Sequence, residues 1–324
     1  RGKGKEAVKV FENALKMNPD LTDVRAGYIR LLVTSGKSGK AVAKAEEMLQ
    51  RNPEDISLYY MAADLAFRME QYGKAKEYLE KALQINDPPG YIFSLLAAVY
   101  KKSGDREKAE NLLQQCTTEN PGYEKGWNDL AGLYVESGAE ELALETLNKA
   151  FTHVPESGKI AGNLAWLLLE SGSDFDRALD LARKAYEKLP ENGSIADTLG
   201  WAYYHKKAYS QAAWMFEAAE KIAPDQGIVK YHRAMLNYRR GRINEAKRMF
   251  EKALGYDHKL PEKTVGHIQD MLGKFQAEQN DENTDRFDTK EIFDTENPME
   301  GPGKPDKDNE VLEPDWSGFT SKNE

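Results

Sequence analysis

The chain has 324 residues, 40% hydrophobic and 31% charged, and its 54 acidic against 45 basic side chains give a net charge of −9. That balance suits a thin, extended array better than one thick core, and it offers no surplus of Lys and Arg for non-specific nucleic-acid binding. No apolar run approaches the roughly 18 residues a membrane span needs, and a lone cysteine, Cys116, excludes an internal disulfide and a multi-cysteine zinc site.

Read from the N-terminus, Arg1 falls at the last position of a helix whose remainder is absent. Gly2-Lys3-Gly4 then reads as a loop, and Ala7, Val8, Phe11 and Ala14 mark one face of a following helix. The chain lacks an initiating methionine and reads as a piece of a longer protein, so neither a signal peptide nor an anchor can be judged and its compartment stays open. From Ala7 onward alanine recurs at Ala41, Ala75, Ala109, Ala143, Ala178, Ala212 and Ala246, a period of 34 residues with one step of 35. Seven places after each stands Ala14, Met48, Ala82, Cys116, Ala150, Ala185, Ala219 or Ala253. Proline follows at Pro19, Pro53, Pro121, Pro155, Pro190 and Pro224, with Pro88 one place late.

Within each period the apolar residues fall in two runs of helical spacing. The runs are separated by a glycine such as Gly36, Gly104, Gly138, Gly172 or Gly241, and the proline ends the second. Each repeat is therefore an antiparallel helix pair with too little core to stand alone. Stacked repeats bury a continuous core and expose a concave face.

Motifs such as Trp127-Leu130-Ala131-Tyr134 and Leu199-Gly200-Tyr203, followed by the alanines and the proline, resemble the tetratricopeptide repeat (TPR). The resemblance covers residues 1–258 and implies an all-α TPR-type solenoid, a right-handed superhelix of about seven and a half repeats with the first truncated. Departures from the pattern are local. Ile29 replaces a small residue in the second repeat, Lys207 replaces the interhelix glycine in the seventh, and Ser171–Asp176 carries a one-residue insertion. Asn163–Leu168 and Asp197–Trp201 also look like bacterial TPR proteins of the exopolysaccharide-export and PEP-CTERM (exosortase) systems, over residues 159–253. That narrower likeness implies a non-catalytic scaffold at the cell envelope.

Residues 259–279 are expected to form a capping helix. Pro261 opens it, and Val265, Ile268, Met271, Leu272 and Phe275 lie on one face with Lys263, Gln269, Asp270 and Lys274 opposite. Residues 280–324 hold 14 acidic and 5 basic side chains, so the whole net charge belongs to this segment and the body before it is neutral. Its composition suits an acidic, flexible tail. Phe287, Phe293, Trp316 and Phe319 punctuate it, either as a docking element for a basic aromatic groove, its own or a partner's, or as incidental aromatics in a solubilising segment.

The five histidines, His153, His205, His232, His258 and His267, form no HExxH and no metal-ligand spacing, and read as surface or packing residues. Cys116 occupies a small-residue slot and reads as a packed thiol. No phosphate-binding, dinucleotide or nucleophile-elbow motif is present, so neither an enzyme nor a cofactor or metal is expected. Recognition is the expected function, on a groove lined by first-helix residues. By repeat register these are Tyr60, Asp64, Arg68, Lys101, Lys102, Asn128, Asn163, Trp166, Asp197, Trp201, Tyr204, Tyr231, Met235 and Arg239, with Arg30, Phe67 and Tyr91. Trp166, Trp201 and Met235 share one register and read either as an apolar stripe along the groove or as core between repeats. Asn128, Asn163 and Asp197 beside them suit the backbone of an extended peptide, while Lys101, Lys102 and Arg68 read either as groove charges or as a solvated face.

The carboxylate clamp of chaperone-binding TPR domains does not map here, because the equivalent slots hold residues such as Gly27, Met61 and Leu95. The expected partner is a protein or peptide, bound by a scaffold or by the docking arm of an enzyme encoded upstream. Self-association through the truncated N-terminal face is a further possibility.

Overall fold

The structure, a computed structural model, describes residues 2–18, 21–256 and 260–280, and among them every regular element is an α-helix. A first helix, α1 (Gly2–Met17), is followed by seven pairs. The first four are α2 (Thr22–Thr34) with α3 (Ser38–Arg51), α4 (Ile56–Arg68) with α5 (Tyr72–Leu83), α6 (Gly90–Lys102) with α7 (Arg106–Glu119), and α8 (Glu124–Glu136) with α9 (Glu140–His153). The rest are α10 (Gly158–Ser171) with α11 (Phe175–Lys188), α12 (Gly193–His205) with α13 (Tyr209–Ile222), and α14 (Gly227–Arg239) with α15 (Ile243–Leu254). A last helix, α16, runs Glu262–Asn280. By its contacts the chain divides into two bodies, residues 1–269 and 270–324. The first is an α-solenoid; of the second, only the end of α16 falls within the described residues.

Local chemistry fixes the helix ends. Asp55 Oδ1 accepts from the main-chain N–H of Ser57 and Leu58, Ser157 Oγ from that of Ile160, and Asn192 Oδ1 from those of Ser194 and Ile195. At the other end, Asn52, Asn120, Val154, Leu189 and Ala223 each stand directly before a proline and leave the helix with φ of −125 to −138° and ψ of 60 to 79°. A following proline ring disfavours the helical backbone at just that position. Where proline comes late, at Pro88, α5 stops early and Asp87 takes a positive φ of 55°.

The interhelix turns need a left-handed residue. Gly36, Gly104, Gly138, Gly172 and Gly241 supply it with φ of 64–81°, and Glu70 and Lys207 adopt the same conformation at 58° and 59° in the repeats that lack the glycine. The insertion lies just after Gly172. Ser173 N–H closes the end of α10 on Leu168 O, and the extra residue lets Asp174 cap α11 by accepting from Arg177 N–H. One expectation is corrected: Gly2-Lys3-Gly4 is not a loop but the first turn of α1, since glycine weakens a helix without forbidding it.

The periodic alanines are the packing surface. Ala41, Ala75, Ala143, Ala178, Ala212 and Ala246 are fully buried, as are Ala82, Cys116, Ala150, Ala185, Ala219 and Ala253 seven places on. Each first helix packs on the second helix of its own repeat and beside the first helix of the next, α6 on α8, α8 on α10, α10 on α12 and α12 on α14. Close approach is absolute at Gly200, where a Cβ would lie 2.6 Å from the Phe216 ring. Phe93, Phe216 and Phe250 are the largest fully buried side chains, one each from α6, α13 and α15.

Candidate functional site

The first helices lie side by side, so residues at one register position form a row across repeats. Towards the N-terminal end, Tyr60 meets Tyr91 edge-on at 4.8 Å, and Arg68 donates to Asp64 at 2.8 Å. Lys101 reaches Glu136 of the next first helix at 2.5 Å with both side chains about half exposed, and Lys102 is exposed without an ion-pair partner among the described residues. Between α6 and α8 a furrow of about 230 Å³ opens, floored by Ala97, Ala98 and Gly132 and rimmed by Lys101, Lys125, Asn128, Asp129 and Glu136. A Cβ on Gly132 would meet nothing within 4 Å, so the space above it is open. Asn163 Nδ2 donates to Asn128 Oδ1 at 2.7 Å, and Asn128 Nδ2 donates to Glu124 O at 3.1 Å. The two amides thus make a short polar ladder across α8 and α10.

Three of the residues expected to line the groove are interior instead. Asp197, Trp201 and Tyr204 are 5%, 7% and 7% exposed. His232 Nδ1 lies 2.8 Å and 3.0 Å from the two carboxylate oxygens of Asp197, which turns that carboxylate inward rather than toward a ligand. The Trp201 indole is stacked by His232 at 4.2 Å and by Tyr204 at 4.5 Å, while Arg239 Nε donates to the Tyr204 hydroxyl at 3.2 Å. Trp166, in the same register as Trp201, stays half-buried like Met235. One repeat earlier, the slot that holds His232 over Trp201 holds Thr198, which is too small to cover an indole ring.

Tyr231 Oη lies 2.8 Å from His267 Nδ1, and burial, with Glu170 and Tyr204 near it, pushes its hydroxyl up to about 12. The sequence reading missed Gly132, Lys125 and Glu136; the register shared by Gly132 and Trp166 was the signal for the first. The tail candidates Phe287, Phe293, Trp316 and Phe319 lie outside the described residues.

Among the described residues no group of three or more His, Cys, Asp or Glu could hold a metal ion, and no helix is long and apolar enough to cross a membrane. What the first-helix face offers is shape, amide groups and charges of both signs.

Tetratricopeptide-repeat family models match residues 1–120 and 163–227, together more than half of the chain. The chain belongs to the tetratricopeptide repeat proteins. No curated protein matches it. Among solved structures it is similar to the APC/C hetero-tetramer Cut9–Hcn1, with TM-score 0.59 and 15% identity over 84% of this chain and 52% of that one. It therefore spans about half the length of that relative. PilF of Pseudomonas aeruginosa gives 0.54 and 17% over 69% of this chain and 97% of that one. A tetratricopeptide repeat protein of Parabacteroides merdae gives 0.51 and 16% over 82% and 98%. These likenesses carry the repeat fold and not the narrower resemblance to export-system proteins.

Proposed function

We propose that the chain is a protein-binding scaffold that holds an extended peptide segment of a partner across the first-helix face, centred on the furrow between α6 and α8. Stacked-repeat solenoids present an extended concave surface and use it for binding. The observation that carries the reading is the Asn163–Asn128 amide ladder beside the open floor at Gly132. After the internal bonds are counted, Asn163 Oδ1 and one N–H of each amide remain for a ligand. Those groups match the carbonyls and N–H groups of an extended backbone, while the floor over Gly132 admits a side chain.

The Lys101–Glu136 and Lys125–Asp129 pairs at the rim alternate in sign and would set register and partner choice more than affinity. Trp166 and Met235, half-buried further along, extend the apolar part of the face. The same surface serves a free-standing scaffold or the docking arm of a larger enzyme, and an envelope role rests on the Asn163–Leu168 and Asp197–Trp201 motifs alone.

Gly132→Leu fills the furrow without touching the core. Screening the chain against an array of unstructured peptides, with Gly132→Leu and Asn163→Ala alongside, should give ligands that both variants lose. Ligands retained by both variants would move the site elsewhere.

A further inference from the structure

The second-helix face carries separate clefts over α6, α8 and α14. Over α8, the cleft between α7 and α9 is lined by Trp127, Leu130, Tyr134 and Leu142 and is mainly apolar. Over α14, the cleft between α13 and α15 encloses about 340 Å³ and has a different character. Five cationic side chains surround it: Arg233, Arg240, Arg242, Arg248 and Lys252.

The difference is written into the repeat register. The position held by buried Leu96, Leu130, Leu164 and Leu199 in four earlier repeats is Arg233 here. The position of Tyr100, Tyr134, Leu168 and Tyr203 is Asn237, and that of Ser103, Ser137 and Ser171 is Arg240. Arg233 and Asn237 thus replace mostly apolar side chains, and Arg240 keeps a cation where the preceding repeat has Lys206 and the three before it have serine.

The cations are not balanced from within. Arg233 pairs with Glu220, and Arg242 reaches Glu245 at 3.7 Å. Among the described residues Arg240 donates only to the main-chain O of Tyr209 at 2.7 Å, and Arg248 only to that of Asn244 at 3.3 Å. Lys252 has no ion-pair partner among the described residues. Burial, and to a lesser extent the neighbouring Arg242 charge, hold the Arg240 guanidinium below its ordinary value.

We infer that this cleft is a second docking site, independent of the first-helix furrow, for an acidic peptide segment of a partner protein carrying an apolar residue among its carboxylates. Guanidinium forks with free N–H groups pair with carboxylates in a bidentate way. Ala213, Leu236 and Met249 provide an apolar floor between the cations, which suits a side chain and not a sugar–phosphate strand. Glu217 and Glu245 stand in the same cleft and oppose a continuous polyanion such as nucleic acid, whereas a peptide places its carboxylates discretely and avoids them.

The test measures binding of the full 324-residue chain to a synthetic, fluorescent peptide of alternating Asp and Glu around one Phe, at low ionic strength. Its Asn/Gln counterpart, a single-stranded oligonucleotide and inorganic phosphate serve as the other arms. The acidic peptide should bind and weaken steeply with salt, and the amide counterpart should not bind. Arg240→Gln and Arg248→Gln should each weaken binding by about tenfold, with circular dichroism unchanged, and Gly132→Leu should have no effect. Equal binding of the amide peptide, or insensitivity to both arginine variants, overturns the site. Tighter binding of the oligonucleotide or of phosphate overturns the ligand class. Loss of binding in Gly132→Leu would assign the peptide to the first-helix furrow instead, so failure here is distinct from failure of the furrow reading.

Discussion

His232 Nδ1 donates to the carboxylate of Asp197 across the α12–α14 junction at 2.8 Å, with both residues buried. The pair links successive repeats at the register of the Asn163–Asn128 bond two repeats earlier, with a carboxylate and an imidazole in place of two amides. Trp201 stacked on the same imidazole closes it off from water. A buried acceptor with one strong donor is destabilising to lose. Asp197→Ala should cost about 3 kcal/mol of folding free energy, and Asp197→Asn, which keeps an acceptor, about 1 kcal/mol. Urea unfolding of both variants checks this; equal, small losses would show that the carboxylate holds nothing.

His205 lies beside this cluster, stacked on Phe175 at 4.4 Å, and its buried Nε2 has no hydrogen-bond partner among the described residues. Burial, and then the nearby His232 and Arg239, push its pKa down to about 4 from an ordinary 6.5. The unfolded chain therefore takes up this proton first as the pH falls. Its contribution to stability is complete above about pH 6.5 and is lost progressively towards about pH 4. Unfolding free energies measured at several pH values should decline across that window, and His205→Phe should flatten the upper part of the decline. An unchanged slope in the variant would remove His205 as the cause.

Two glycines in one register position and its neighbour make opposite demands. Gly200→Ala drives a Cβ to within 2.6 Å of Phe216 and should cost about 2 kcal/mol through overpacking. Gly132→Ala meets open space and should stabilise α8 by about 0.8 kcal/mol through helix propensity. Thermal unfolding of the two variants should move in opposite directions. Movement in the same direction would mean that the α12–α13 contact relaxes more readily than its geometry implies.

Cys116 is fully buried with Sγ 3.6 Å from Gly90 O, and burial, followed by the charges of Asp129 and Glu119, pushes its thiol up to about 12. A neutral, enclosed thiol is a poor nucleophile. The folded chain should resist iodoacetamide at neutral pH and become alkylated in denaturant. Rapid labelling of the native chain would contradict the packing of α7 against α8.

Much of this protein is legible in its amino acids alone, because a repeat states the same physical requirement many times over. Alanine every 34 residues, glycine where a turn needs positive φ, and proline where a helix must stop each act through neighbours in sequence. Helix pairs, their order and the buried alanines followed from them, and so did the rows of first-helix residues. The fate of an individual side chain within a row did not. Trp166 and Trp201 share a register, yet one is half-buried and the other buried, because the residue that meets each ring comes from the next repeat: Thr198 in one case and His232 in the other. Asp197 has the pattern of a free carboxylate, and only the fold sets His232 against it; Gly132 shares a register with Trp166, but only the fold shows open space above it. The net charge of −9 belongs by position to the last 45 residues, which the sequence alone established. The cations Arg233, Arg240, Arg242, Arg248 and Lys252 are close in sequence, on α14, its turn and α15, but that they surround one cleft was decided by tertiary structure, which sets them against α13.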